Sequence, residues 1–196
     1  MIIEKKVVVT KEVGFTDITL LSIEEAESLS AQQMSLPSRF DWWLRSPASG
    51  TYIQNGDRSK TCVAIVEYGS ISRIGEFVNI RNGYAIRPSL KIADPKNADL
   101  AVGDKFDLAG ESWTVIPNGY ALMDDAIKDE KGQVVEAAFR ACALDWARRR
   151  AITYGNGPIG FDEGVNDFET SDIKKLLNEW ACAKGIAFVG SEEKAA

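Results

Sequence analysis

Histidine is absent from this 196-residue chain. Its absence removes Ser-His-Asp and Cys-His nucleophile activation, together with the usual catalytic zinc sites, which nearly always include a histidine ligand. Only chemistry resting on carboxylates, lysine or tyrosine remains, and the expectation is a non-enzyme with no cofactor. Cysteine is nearly as sparse. Cys62, Cys142 and Cys182 are an odd count of three without CxxC spacing. That argues against a disulfide framework or a cysteine metal site and for reduced, buried thiols. No apolar run approaches the roughly 18 residues needed to cross a bilayer. The opening Met1-Ile2-Ile3-Glu4-Lys5-Lys6-Val7-Val8-Val9 is too short and too charged for a signal-peptide core. No secretion by the usual route is expected, and release by lysis stays open. Clustered basic charge is also scarce. A net charge of -6 argues against generic nucleic-acid binding, although acidity also suits a decoy that presents carboxylates where phosphates would sit.

What is present reads as an ordinary globular composition, 45% hydrophobic and 27% charged. Residues 7–9 and 18–21 read as short strands. Ser22-Ile23-Glu24-Glu25 is a capping box that opens a helix running to about Ser30, with Ile23, Ala26 and Leu29 on its buried face. From Cys62 to Ile92 apolar and polar residues alternate as in strands, the last of them spanning 85–92. Asn55-Gly56 and Asn82-Gly83 supply tight turns, because both residues tolerate positive φ. The polar, proline-bearing stretch 93–101 is the best linker. Beyond it, 105–108 and 112–116 form a hairpin with Gly110 at its turn, and Asn118-Gly119 leads to a strand over 120–123. Helices are expected over about 135–150 and after a cap at Thr170 or Ser171, the latter burying Ile173, Leu176, Leu177 and Trp180.

Two motifs stand out: Trp42-Trp43-Leu44-Arg45-Ser46-Pro47 and Gly83-Tyr84-Ala85-Ile86-Arg87-Pro88-Ser89-Leu90. In this order they resemble the WWLRSP…GVRPAL signature of a bacterial and phage domain of unknown function, DUF6273, which is similar to C-type lectin-like folds. The resemblance implies an α+β protein with a twisted antiparallel sheet and flanking helices. It also implies a permuted order. Residues 1–92 correspond to the usual C-terminal half, 93–101 to a linker, and 102–190 to the usual N-terminal half with an insertion at about 128–164. The expectation is one circularly permuted domain, with two half-domains or fragments of tandem copies as the alternative.

On a strand, Trp42 and Trp43 point to opposite faces, so both cannot enter one core layer. One is expected in the core and the other under a loop or beside Arg45; a sugar-stacking platform is the functional alternative. Arg45 and Arg87 are expected to be buried or half-buried, their guanidinium forks satisfying loop carbonyls, with Pro47 and Pro88 completing the structural signature. The lectin-like resemblance makes residues 46–82 the recognition face, offering Tyr52, Gln54, Asn55, Asp57, Arg58, Tyr68, Ser70, Arg73, Asn79 and Arg81 to a protein or glycan. The acid-rich Asp162-Glu163-Gly164-Val165-Asn166-Asp167-Phe168-Glu169 departs from the EF-hand template, and the calcium tripeptides of true C-type lectins are missing, so no metal is expected. Asp124 and Asp125 diverge as neighbours and read as solvated. The three cysteines form no pair of the kind that formylglycine-generating oxidases use. Arg140, Arg148, Arg149 and Arg150 read as a solvated helix end. The expected function is non-catalytic recognition; the resemblance implies a phage or prophage association and a place in the bacterial cytoplasm or a virion. The alternative is a small acidic inhibitor of an intracellular host protein such as a defence nuclease.

Overall fold

A computed structural model describes residues 13–48, 51–52, 56–57, 62–78, 83–96, 99–139 and 166–189. It is a mixed α+β structure dominated by two five-stranded, mostly antiparallel sheets with few helices. The first sheet has the order β1-β8-β11-β10-β9, formed by Phe15–Thr19, Ser89–Ile92, Tyr120–Met123, Glu111–Ile116 and Lys105–Leu108. The second has the order β12-β7-β2-β5-β6, formed by Glu136–Ala137, Tyr84–Ala85, Trp42–Pro47, Cys62–Glu67 and Ser70–Phe77. Its β2–β7 contact is parallel, at Trp42 and Ala85. A separate two-stranded ribbon joins β3 (Thr51–Tyr52) to β4 (Gly56–Asp57).

Alternation along the strands divides the interior into two apolar clusters. Trp42 pairs with Val66 and Trp43 with Ile65. Trp42 and Val66 join Leu21, Ile23, Leu36, Tyr120 and Leu122 in one cluster. Trp43 and Ile65 join Ile18, Leu90, Phe106 and Trp113 in the other, which α3 (Asp172–Ala183) covers with Ile173, Leu177 and Ala181. Both tryptophans are therefore wholly buried. Residues from either side of the 93–101 connection share these clusters, and Leu90 of β8 lies opposite Ala121 of β11.

Several elements follow their local signals. Ala109 and Gly110 both have positive φ, the type I′ geometry that joins β9 to β10 with little distortion of strand twist. Ser171 caps α3, its hydroxyl accepting from the Lys174 amide. Thr170 does not cap; Leu176 and Trp180 are only partly buried against the core, whereas the Lys174 side chain reaches back to Asp17 and the Ile18 carbonyl.

Other expectations are corrected. The helix expected from Ser22 to Ser30 is a single turn, α1 (Ile23–Ala26), and a separate turn, α2 (Ala31–Met34), starts at Ser30, each with its own capping box. The Ser28 hydroxyl donates to the Glu25 carbonyl, and Ser30 turns its own hydroxyl to the Gln33 amide, so side chains take over where helix bonds would continue. The strand expected over 85–92 is broken into β7 and β8, which belong to different sheets. Pro88 offers no N–H, and its carbonyl instead accepts from Met123. The strand expected over 18–21 is Phe15–Thr19, the first among the described residues. No helix begins at Val135: residues 136 and 137 form β12, drawn out by pairing with β7. The rest of the expected 135–150 helix, its Arg140, Arg148, Arg149 and Arg150, and the strand at 7–9 lie outside the described residues. Cys62 is buried but Cys182 is exposed on α3, against the expectation of buried thiols; Cys142 lies outside the description.

Candidate functional site

The signature residues act as anchors. Arg87, 4% exposed, spreads its fork over backbone carbonyls. Its Nε donates to Met123 at 2.8 Å, and its Nη atoms donate to Gln33 and Asp124. Its guanidinium carbon lies 5.2 Å from the centre of the Trp42 ring. Trp42 therefore stacks on Arg87, not Arg45 as the sequence reading had allowed. Burial pushes the Arg87 guanidinium down to about 10, against the raising influence of Asp124 and Asp125; it stays charged at neutral pH.

Trp42 Nε1 donates to the Met34 carbonyl at 2.9 Å, so Arg87 and Trp42 together grip the end of α2. Trp43 Nε1 donates to the Ala137 carbonyl at 2.8 Å and fixes β12. Its ring packs edge-on against Tyr84 and Phe139. Full burial removes both indoles from any sugar-stacking role.

Arg45 serves α1. Its Nη atoms bind both Glu25 carboxylate oxygens at 2.6 Å, and Nη1 also donates to the Leu20 carbonyl. Burial would raise the Glu25 carboxyl, but the Arg45 hydrogen bonds, the Ser22 amide and the Arg45 charge hold it below its ordinary value of 4.5. A carboxylate depressed on folding stabilises the protein fully above its unfolded value and loses that contribution as pH falls through its folded value. Glu25→Gln is thus expected to lower stability at neutral pH while flattening the acid limb. Urea melts at about pH 7 and about pH 3 should show wild type and variant converging on acidification; parallel curves would remove Glu25 from the acid response.

The loop that leaves α2 forms the wall between two surface grooves. One, about 310 Å³, is lined by Met34, Leu36, Phe40, Asp41, Val66 and Tyr68, among others. The other, about 670 Å³ and more polar, runs along Ser38, Phe40, Asp125, Lys128, Gln133 and Glu136. Phe40, 39% exposed, belongs to both. Above the smaller groove, Tyr68 and Gly69 turn the β5–β6 hairpin. Both have positive φ, 49° and 73°, and the Tyr68 side chain is 90% exposed. The Asp41 carboxylate accepts the Tyr68 amide at 2.9 Å and steadies the tip.

Asp124 and Asp125 are half-buried and engaged rather than freely solvated. Asp124 accepts from the Ser112 and Thr114 hydroxyls, while Asp125 accepts from Ser38 and lies 2.8 Å from Lys128. They do diverge: Asp125 braces the larger groove and Asp124 the β10 surface. Among the described residues no group of three or more His, Cys, Asp or Glu is placed to hold a metal, and no helix is long and apolar enough to cross a membrane.

Of the recognition residues expected from sequence, Tyr68 stands at the hairpin tip and Ser70 beside it at the start of β6. Arg73 lies on β6 and is ion-paired with Glu27 of the α1 cap. Tyr52 and Asp57 lie in the β3–β4 ribbon. Gln54, Asn55, Arg58, Asn79 and Arg81 fall outside the described residues. The sequence reading missed Arg39, Phe40 and Asp41. The available signal was an aromatic residue between two charged ones immediately before the buried tryptophans. No family model, curated protein or solved structure matches the chain.

Proposed function

We propose that this chain is a non-catalytic recognition protein, its core a permuted C-type lectin-like domain, that engages a protein partner through Phe40, Tyr68 and the groove between them. One observation carries the reading. Tyr68 holds a bulky side chain in left-handed backbone, which costs roughly 1 kcal/mol, yet at 90% exposure it gains almost no packing in return. A residue that strains the fold without filling it has its use outside the fold. The permuted order is supported by β8 lying beside β11, with the β9–β10 hairpin following through the short 93–101 connection. The resemblance to DUF6273 supports a phage or prophage setting.

The net charge of -6 favours a second reading, an acidic inhibitor of an intracellular host protein. Pull-downs from host lysate, with cytosol and envelope kept apart and captured proteins identified by mass, separate the two. A stoichiometric cytosolic complex supports the inhibitor; retention on envelope supports surface recognition. Tyr68→Asn tests the site itself. Asparagine tolerates left-handed backbone, so stability should rise by about 0.5–1 kcal/mol while capture is lost. Undiminished capture by both Tyr68→Asn and Phe40→Ser would place the site elsewhere.

A further inference from the structure

The smaller groove holds two unused charges of opposite sign. Arg39 and Asp41 are the charged groups of its lining, and they flank Phe40 in the chain. They do not pair with one another, and neither has an ion pair among the described residues; the Asp41 carboxylate accepts only the Tyr68 amide. Glu67 alternates to the face of β5 opposite Val66 and stays out of the lining. Two of the large apolar or aromatic side chains left exposed among the described residues, Phe40 and Tyr68, lie beside the buried Leu36 and Val66 in this one groove. Arg39, like Tyr68, is held in left-handed backbone, at a φ of 62°.

A patch that meets its own copy across a two-fold axis must be self-complementary, because residue i contacts residue j while j contacts i. This groove meets that condition in both charge and shape. It carries one cation and one anion, an exposed ring and an apolar hollow, whereas a groove of one sign would repel its copy. The net charge of -6 sets two copies against each other at long range, and a locally neutral, apolar-lined groove is where they approach at least cost. We propose that the free protein pairs with a second copy of itself through this groove. The Tyr68 ring of each copy seats on Leu36 and Val66 of the other, and Arg39 of each pairs with Asp41 of the other. Self-pairing and capture of a different protein then use one surface, and either can hold without the other.

Sedimentation equilibrium of the full chain, over concentrations from about 1 to about 500 μM, tests this. The average mass is expected to rise from that of one chain toward that of two. Arg39→Asp sets like charges face to face twice in each dimer and should weaken self-association roughly tenfold or more. It gives up no ion pair within the described chain, and aspartate tolerates left-handed backbone. That variant keeps the test readable if Asp41→Arg, which loses the Tyr68 amide, unfolds. Asp41→Arg should separate the copies likewise, and an equimolar mixture of the two variants should restore pairing, since each reversed charge then meets its opposite. A wild type that keeps the mass of one chain throughout, or an Arg39→Asp variant that pairs as tightly as wild type, overturns the proposal. So does a mixture of the two folded variants that pairs no better than either alone. Partner capture is read separately: a monomeric wild type whose capture is lost on Tyr68→Asn keeps the recognition reading without this one.

Discussion

Replacing Arg87 with methionine is expected to lower the unfolding free energy by about 3 kcal/mol or more, read as a lower urea midpoint at unchanged slope. The direction is not automatic, since removing a buried charge recovers its desolvation penalty. Here the fork's hydrogen-bond partners are carbonyls of Met123, Gln33 and Asp124, and an apolar replacement leaves these acceptors without their donor. Each stranded acceptor costs about 1–3 kcal/mol, which outweighs the recovered penalty. Arg87→Lys keeps the charge but not the fork, so it should fall between wild type and methionine. A methionine variant within about 1 kcal/mol of wild type would falsify the anchoring role.

Gly83→Ala should be at least as damaging. A Cβ there would lie 2.0 Å from the carbonyl carbon of Ala137, backbone that cannot swing aside, and φ at Gly83 is +66°. Losses above about 3 kcal/mol are expected, with β12 leaving β7 and the Trp43 indole losing its acceptor. Gly132→Ala separates the two causes. It has φ of +77° but nothing within 4 Å, so it should show the conformational cost alone, about 1 kcal/mol. Equal losses at both positions would mean that close approach at Gly83 is unimportant.

These two positions also mark how far sequence carried. Local signals were legible: the Ser22 and Ser171 caps, the hairpin turn at Gly110 and the opposed tryptophans each depend on neighbours a few residues away. β12 was not legible, because apolar spacing near Val135 and Phe139 fits a helix, and only the approach of Gly83 to Ala137 draws that segment out. The break at Pro88 was written in the chain but outweighed by alternation on either side. At the site, Tyr68 could be singled out by type, whereas Phe40, next to two buried tryptophans, shows its exposure only in the fold. The anchoring of that turn by Arg87 spans more than fifty residues, and no window of sequence contains it.

Adjacent residues of β2 hold the walls of different grooves, Trp42 through the Met34 carbonyl and Trp43 through that of Ala137. One peptide unit, itself clamped between two cores, therefore sets the separation of both grooves before any partner arrives. On the recognition reading proposed above, a ligand that bridges Phe40 would meet walls already held at their spacing, and little of its binding free energy would go into ordering them.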